Sequence, residues 1–530
     1  MQALNHEAAC RIYRDALRTE QGDSLRGDRE IQALGTLIDL ADDLGREYGL
    51  VRALTWAERI VVRTETPAFA RGLVHYFAAN AWSGLRHLRR QGAARLEWEQ
   101  PEYEREIAHL RHAKKQLDGS RDISRRCQVL TNLGNALDSR GRLVEAIAEW
   151  DAALQLDATF AMALGNRGMG FGWYGRVCYD PGHRLYLVRA ALEGLTAALA
   201  KGGGQMMPDA RQAFANYKQR IERGFAGSLR RKPRRSVRRR RWTKAETAYR
   251  RWCAHQRLFL NDLNDLGPSE IGMADVLTLP DHVTPLDEGP TLIGFFNQLK
   301  QEFAAARWLA YEGLMSDRVH FADRDVTLIN TLDYPAYSLR AEQVKLAFRS
   351  TYSLFDKIAF FLNDYFALNI PERLVTLRTL WYDGKPSDRR LRPGLEGTQN
   401  LFLQALFWLS KDFFEPEMSV EQEMEPRSER TASVRNELEH KYLKLHEILV
   451  GRPKGRVKKS SFDHDRLAYS MSRSDFEDET LALLRRGRSA LIYLTFAVRV
   501  EEARKEVERG KKGVLTMPVL TDAWEDDWKR

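Results

Sequence analysis

The sequence predicts an all-α protein in which an N-terminal α-solenoid is followed by a C-terminal helical bundle. Three observations carry this prediction. β-branched strand runs and hairpin turn signals are scarce, and helical spacing of apolar residues dominates. The stretch NLGNAL at 132–137 returns as NRGMGF at 166–171, an offset of 34 residues. After a Pro/Gly-rich interlude at 267–290, long amphipathic patterns resume, with connections of the kind that join bundle helices.

The chain has 530 residues, enough for about two to four domains. Its apolar share of 43 % suffices to bury a real core and excludes global disorder. The composition divides it into a helical repeat region at 1–227, a basic linker and connecting segment at 228–290, a helical bundle at 291–509 and a tail at 510–530. Net charge is +10, and the block RRKPRRSVRRRR at 230–241 carries nine Lys/Arg and no acid, so removing it leaves +1. Basicity is therefore local. This block reads either as a solvated tether or as a salt-sensitive, sequence-blind contact to a phosphate backbone.

Cys10, Cys127, Cys178 and Cys253 are far apart, with no CxxC or Cys/His cluster in the sequence, so neither a zinc ribbon nor a disulfide frame is expected. No metal or cofactor is expected. The N-terminus MQALNHEAACRIYRDALRTE lacks the apolar core of a signal peptide. The apolar run SALIYLTFAV at 489–498 has half the length of a bilayer span. These features predict a soluble, cytoplasmic protein with no membrane partner.

In the N-terminal half, Gly134 aligns with Gly168 and Asn132 with Asn166; Gly141, the Glu145-Ala146 pair, Trp150, Ala153 and Leu156 follow the first copy. Small residues stand where two helices would cross closely, large ones where they fill the groove. The pattern resembles the tetratricopeptide repeat, clearly over 127–171, although Ala158 replaces the usual proline and the second copy degrades after Gly172. A single repeat cannot bury its own face, so a stack over roughly 28–225 is expected. Further helical pairs are read at 33–60 and 70–88. The GxGxxG within GMGFGWYG (168–175) follows no strand and lies inside the repeat pattern, which argues against a dinucleotide site.

In the C-terminal half, periodicity predicts helices at 291–312, 339–369, 398–415, 428–449 and 474–509. The apolar stripe Leu354, Phe355, Ile358, Phe361, Leu362, Tyr365 and Phe366 marks 350–368 as the central element. On the helix expected at 428–449, Val434, Leu438, Tyr442, Leu445, Ile448 and Leu449 fall in one inward arc. Arg435 lies at its edge, while Asn436, His440, Leu443 and Glu447 fall on the opposite side. Arg435 and His440 are roughly 140° apart around the axis and about 7.5 Å along it. An outward Leu443 would suit a contact between two subunits.

The segment RNELEH (435–440) fits the R-[polar]-x-x-x-H pattern and resembles the HEPN superfamily (higher eukaryotes and prokaryotes nucleotide-binding domain). It opens a late helix, preceded by the apolar FDKIAFFLN helix, and the resemblance covers about 291–509. Bacterial HEPN proteins with a tetratricopeptide-like N-terminal region are similar in layout. The resemblance implies a helical, often homodimeric bundle and, in many members, a metal-independent ribonuclease whose motifs from two protomers line one cleft. Arg435, Asn436 and His440 would then be catalytic. The chemistry is sound in itself. Histidine exchanges protons near neutral pH, and the arginine fork grips phosphate oxygens. Asn436 would orient the imidazole or bond a phosphate oxygen. RNA is the implied partner, and a 2′,3′-cyclic phosphate with a 5′-OH the implied products.

Asp356, Lys357 and Asn363 are candidate supports for the motif, or simply polar residues at the core edge. Arg452, Lys454, Arg456, Lys458 and Lys459, the five cations of GRPKGRVKK (451–459), would grip RNA, or belong to a solvated loop. Rival readings remain. Glu437-x-x-His440 is also the ligand spacing of di-iron bundles, but the only other copy is Glu106-x-x-His109, in the repeat half. The DHD at 463–465 completes no metal shell. The bundle could instead be a non-catalytic RNA-binding or dimerisation module, with the repeat region a protein-interaction adaptor. On the enzymatic reading, the repeat surface would bind a protein or peptide and restrain a toxin-like nuclease of bacterial defence.

Overall fold

The computed structural model describes the chain apart from residues 1–5, 23–24, 93–96, 202–205, 231–241, 286, 317, 385–389, 414–427, 448–466, 515, 519–525 and 530. The N-terminal region is built from α1 (His6–Gly22), α2 (Asp28–Asp43), α3 (Glu47–Val61), α4 (Ala68–Arg89), α5 (Pro101–Gln116), α6 (Ile123–Asp138), α7 (Leu143–Leu156), α8 (Ala161–Val177), α9 (Pro181–Lys201) and α10 (Pro208–Gly224). Consecutive helices pack on one another across short turns, giving a solenoid-like stack. The short α11 (Ala226–Leu229) and then α12 (Lys244–His255) lead into the C-terminal bundle.

Trp150 of α7 shows why the repeat needs its glycines. A Cβ on Gly134 of α6 would come within 2.5 Å of the indole nitrogen, and one on Gly170 of α8 within 2.6 Å of its six-membered ring. The indole therefore fits between two helices only because both lack a side chain there. The repeated asparagines bond to the preceding layer: Asn132 donates to Asn80 at 3.2 Å and Asn166 to Asn135 at 2.8 Å. The GMGFGWYG stretch lies within α8, where glycines admit neighbouring rings. At Gly165 a Cβ would lie 2.1 Å from the Phe214 ring, whereas one on Gly294 would meet nothing within 4 Å. Gly165→Ala is therefore expected to lose stability, because overpacking of about 1–3 kcal/mol exceeds the gain of up to about 1 kcal/mol in helix propensity. Gly294→Ala should show only the gain. Urea unfolding of the two variants checks both signs.

The bundle comprises α13 (Thr291–Met315), α14 (Leu339–Tyr365), the short α15 (Pro393–Glu396), α16 (Leu401–Ser410), α17 (Ser428–His440) and α18 (Arg473–Lys511). A small antiparallel pair joins β1 (Tyr382–Asp383) to β2 (Arg390–Leu391). A parallel pair joins β3 (Tyr442–His446) to β4 (Ala468–Ser472). The predicted helix 428–449 thus stops at His440. From Tyr442 the chain reads with period two and finds strand partners: β4 on one side, and on the other the Ala336 N–H, which donates to the Leu445 carbonyl at 2.7 Å. Pairing outweighs the helical pattern, and a one-residue change of face follows. Leu443 is buried rather than outward, and Tyr442, expected inward, is 39 % exposed.

Expected as central, α14 shares that place. Phe402–Ser410 of α16 and Arg488–Val498 of α18 are continuously buried. They pack where the bundle meets the stack. One hydrophobic core runs from Tyr103 and Trp150, through Leu258 and Leu260 of the connector, to Phe348, Trp408 and Phe496. The inner faces of α1–α4 form a separate cluster around Leu34, Leu50 and Val74. The connector is clamped: Arg488 of α18 reaches the Phe259 and Asn261 carbonyls and Asp265, and Arg307 of α13 holds Leu258 O and Asp275. Among the described residues, no helix is long and apolar enough to cross a membrane.

Three histidines meet between α4 and α5. His75 Nδ1 lies 2.9 Å from His109 Nδ1, and the His112 ring stacks 5.0 Å from His75. One nitrogen must be bare to accept from the other. Burial and the neighbouring imidazoles accordingly lower His75 to about 3, and burial with His112 lowers His109 to about 4. Unfolding restores ordinary values near 6.5, so the unfolded chain takes up protons that the folded chain refuses. This contribution is complete above about pH 6.5 and is lost as pH falls towards about 4 and then about 3. At pH 5 the loss is about 2 kcal/mol per histidine. Urea midpoints at pH 7 and pH 5 should differ less for His75→Gln than for the natural chain; the comparison isolates the cluster from other titrating groups.

Candidate active site

α17 is seated by Thr431, Val434 and Leu438, which are buried at helical spacing, and the Thr431 hydroxyl donates to Glu479 of α18. Its other side faces out: Asn436, Glu439 and His440 are exposed, with Arg435 half-buried at the edge. His440 occupies the last turn, before Lys441 closes the helix by donating to the Glu437 carbonyl. A cation there sits at the favourable end of the helix dipole.

The Arg435 guanidinium donates to Asn436 Oδ1 at 3.1 Å and lies 5.7 Å from the centre of the Tyr352 ring on α14. This holds the fork where α17 faces α14. One turn before Tyr352, Arg349 donates to the Leu438 carbonyl and approaches Glu439 at 3.7 Å, tying down the end of α17 that carries His440. Burial raises the Tyr352 phenol, an effect opposed by Arg435 and Arg378 and supported by Asp356. Burial likewise raises the Asp356 carboxyl, against the bond from Leu377 N–H at 3.1 Å and the charge of Arg435. Arg349 and Arg435 thus stand on the α14 side of the exposed Asn436–His440 face, with Glu439 partly offsetting Arg349.

Of the proposed supports, Asp356 alone is coupled to the motif. Lys357 is paired with Glu302 of α13 at 2.5 and 2.6 Å. Asn363 closes the turn after α14 by accepting from and donating to the Ile370 backbone, both at 3.0 Å. Asp356 and Asn363 share a task instead: each fixes backbone of the segment that follows α14. Arg452, Lys454, Arg456, Lys458 and Lys459 lie outside the described residues, as do 231–241 and 463–465. The sequence reading missed Arg349, Tyr352 and Arg378. Arg349, Tyr352 and Asp356 follow one another at spacings of three and four, a stripe along one side of α14 that could have shown them. The rival Glu106–His109 pair is taken up elsewhere, Glu106 by Arg86 at 2.8 Å and His109 by His75.

No curated protein and no solved structure matches the chain. Residues 283–501 match the model of the family described as LA2681-like HEPN, and this C-terminal part of the chain is a HEPN domain.

Proposed function

We propose that the chain is a metal-independent endoribonuclease, with Arg435, Asn436 and His440 as its catalytic residues. The observation that carries the reading is the exposed His440 and Asn436 beside a guanidinium held over the Tyr352 ring, within a HEPN domain. His440 of one copy takes the proton from an RNA 2′-OH. The 2′-oxygen forms its bond to phosphorus as the P–O5′ bond breaks, and His440 of a second copy protonates the leaving 5′-oxygen. Arg435 meets the charge gathering on the non-bridging oxygens, and Asn436 bonds one of them. Two imidazoles imply a homodimer. Leu443 is not available to build it, but Phe321, Leu328, Ile329 and Tyr334 are exposed on the segment that runs up to β3 and would serve.

The repeat region, tetratricopeptide-like on this reading, would bind a protein or peptide and restrain a toxin-like nuclease. The test is single-stranded RNA incubated with the full chain in EDTA. Cyclic-phosphate and 5′-OH ends, with the all-deoxy analogue uncut, support the proposal. RNA that is bound but left intact points to the adaptor reading instead.

A further inference from the structure

Cys178 and Asp262 are 84 residues apart, yet they meet where the repeat stack joins the bundle. Cys178 follows the last turn of α8, His183 lies in the first turn of α9, and Asp262 opens the short 3-10 turn Asp262–Leu266 of the connector. Cys178 Sγ is 3.3 Å and His183 Nδ1 3.5 Å from the same oxygen, Asp262 Oδ2, and the three donor atoms all lie within 4.8 Å of one another. Cys178 and Asp262 are buried, and His183 is half-buried.

Hydrogen bonding alone serves this carboxylate poorly. The nearby strong donor, Arg488, is engaged by Asp265 at 2.7 and 3.1 Å. The Tyr174 hydroxyl sits closer to Asp265, at 2.9 Å, than to Asp262, at 3.3 Å. Asp262 is left with a shared phenol, a weak thiol donor and a long imidazole contact, which is thin support for a buried carboxylate. Tetrahedral zinc bonds of about 2.0–2.3 Å to nitrogen, oxygen and sulfur place neighbouring donors about 3.3–3.6 Å apart. Both contacts to Asp262 already have that spacing. A thiolate, a carboxylate and a neutral imidazole also balance the charge of a divalent ion.

His183 is held in place from behind, because Asp180 Oδ1 accepts from the Gly182 and His183 backbone N–H groups at 2.7 and 2.9 Å. In front of His183 and Asp262 opens a cavity of about 360 Å³, lined also by Tyr179, Asp281 and Arg499. Asp180 also lines it, so the carboxylates of the cavity wall outnumber its one guanidinium, which suits a cation.

We infer that Cys178, His183 and Asp262 bind a zinc-class divalent ion, with the fourth coordination position facing this cavity. Water completes the tetrahedron. The thiolate favours zinc over the hard cations magnesium and calcium. The site ties the repeat stack to the connector and is separate from the exposed face of His440.

The test uses the full chain, stripped with a chelator, dialysed and titrated with zinc by calorimetry and with cobalt by absorption. One equivalent should bind. Cobalt should give a thiolate charge-transfer band with the intense visible bands of tetrahedral geometry, and zinc should raise the melting temperature. Cys178→Ser should abolish the charge-transfer band, and His183→Ala should weaken binding at least about 100-fold. Cys10→Ser serves as the control, because Cys10 Sγ lies 3.7 Å from His6 Nε2 and could trap metal adventitiously near the surface. It should leave the equivalent intact. The inference is overturned if the natural chain binds no stoichiometric metal, or if the cobalt band survives in Cys178→Ser and disappears in Cys10→Ser. RNA cleavage is not a readout here, so the two proposals fail separately.

Discussion

His440→Ala is expected to lower RNA cleavage by about 10²–10⁴-fold, the usual worth of a positioned proton-transfer group. The fold should be unaffected. The imidazole is exposed in the last turn of α17, where truncations away from special features stay within about 0.5 kcal/mol. Circular dichroism and the urea midpoint should therefore match those of the natural chain. Arg435→Lys separates charge from geometry, since lysine keeps the cation but loses the bidentate fork and the contact with the Tyr352 ring. Cleavage should fall in this variant while RNA binding weakens only modestly. His440→Ala should bind RNA as the natural chain does. Cleavage by His440→Ala at the natural rate would end the catalytic assignment.

Asp412→Ala is expected to cost about 3–5 kcal/mol of stability, the range for removing one partner of a buried charge cluster. Asp412, in the turn that follows α16, is buried between two guanidiniums from the repeat stack. Arg111 of α5 approaches it at 2.7 and 2.9 Å, and Arg142, which precedes α7 and is also buried, contacts its other side. These arginines hold its carboxyl well below the ordinary range in spite of burial. Glu145 still pairs with Arg142 at 2.6 Å in the variant. Asp412→Asn keeps the shape and loses the charge; it should be nearly as damaging, which distinguishes electrostatics from packing. Urea unfolding at pH 7 measures both variants. A change below about 1 kcal/mol would mean that the cluster is solvated in solution.

The helices were legible where periodicity is long. The patterns at 291–312 and 474–509 become α13 and α18, and the latter is capped by Ser472, whose hydroxyl accepts from Asp475 N–H. The 34-residue offset was legible because Gly134 and Gly168 each face a close neighbour, Trp150 at the first and Ala191 and Leu195 at the second. Strands β3 and β4 were not. Five residues of alternation are too few to stand against a helical stripe that continues through them, and the pairing partner lies 26 residues away. The Cys178–His183–Asp262 cluster and the Arg142–Asp412 contact were invisible for a related reason. Each joins groups separated by 84 and 270 residues, and no local spacing encodes such a meeting. At the motif, RNELEH gave which residues face out, but not that α14 would steady them through Arg349 and Tyr352.

The apolar interior that passes from Trp150 through Leu258 to Phe496 sets where the chain can be cut. Excising everything before residue 225 would strip α16 and α18 of their cover and leave an aggregating remnant, not a liberated enzyme. Nor does a cut just before α5 offer a clean seam, because α4 packs on α5 through His75, His109 and His112 and through the Arg86–Glu106 pair. The repeat stack and the bundle are therefore expected to melt, and to exchange amide hydrogens, as one.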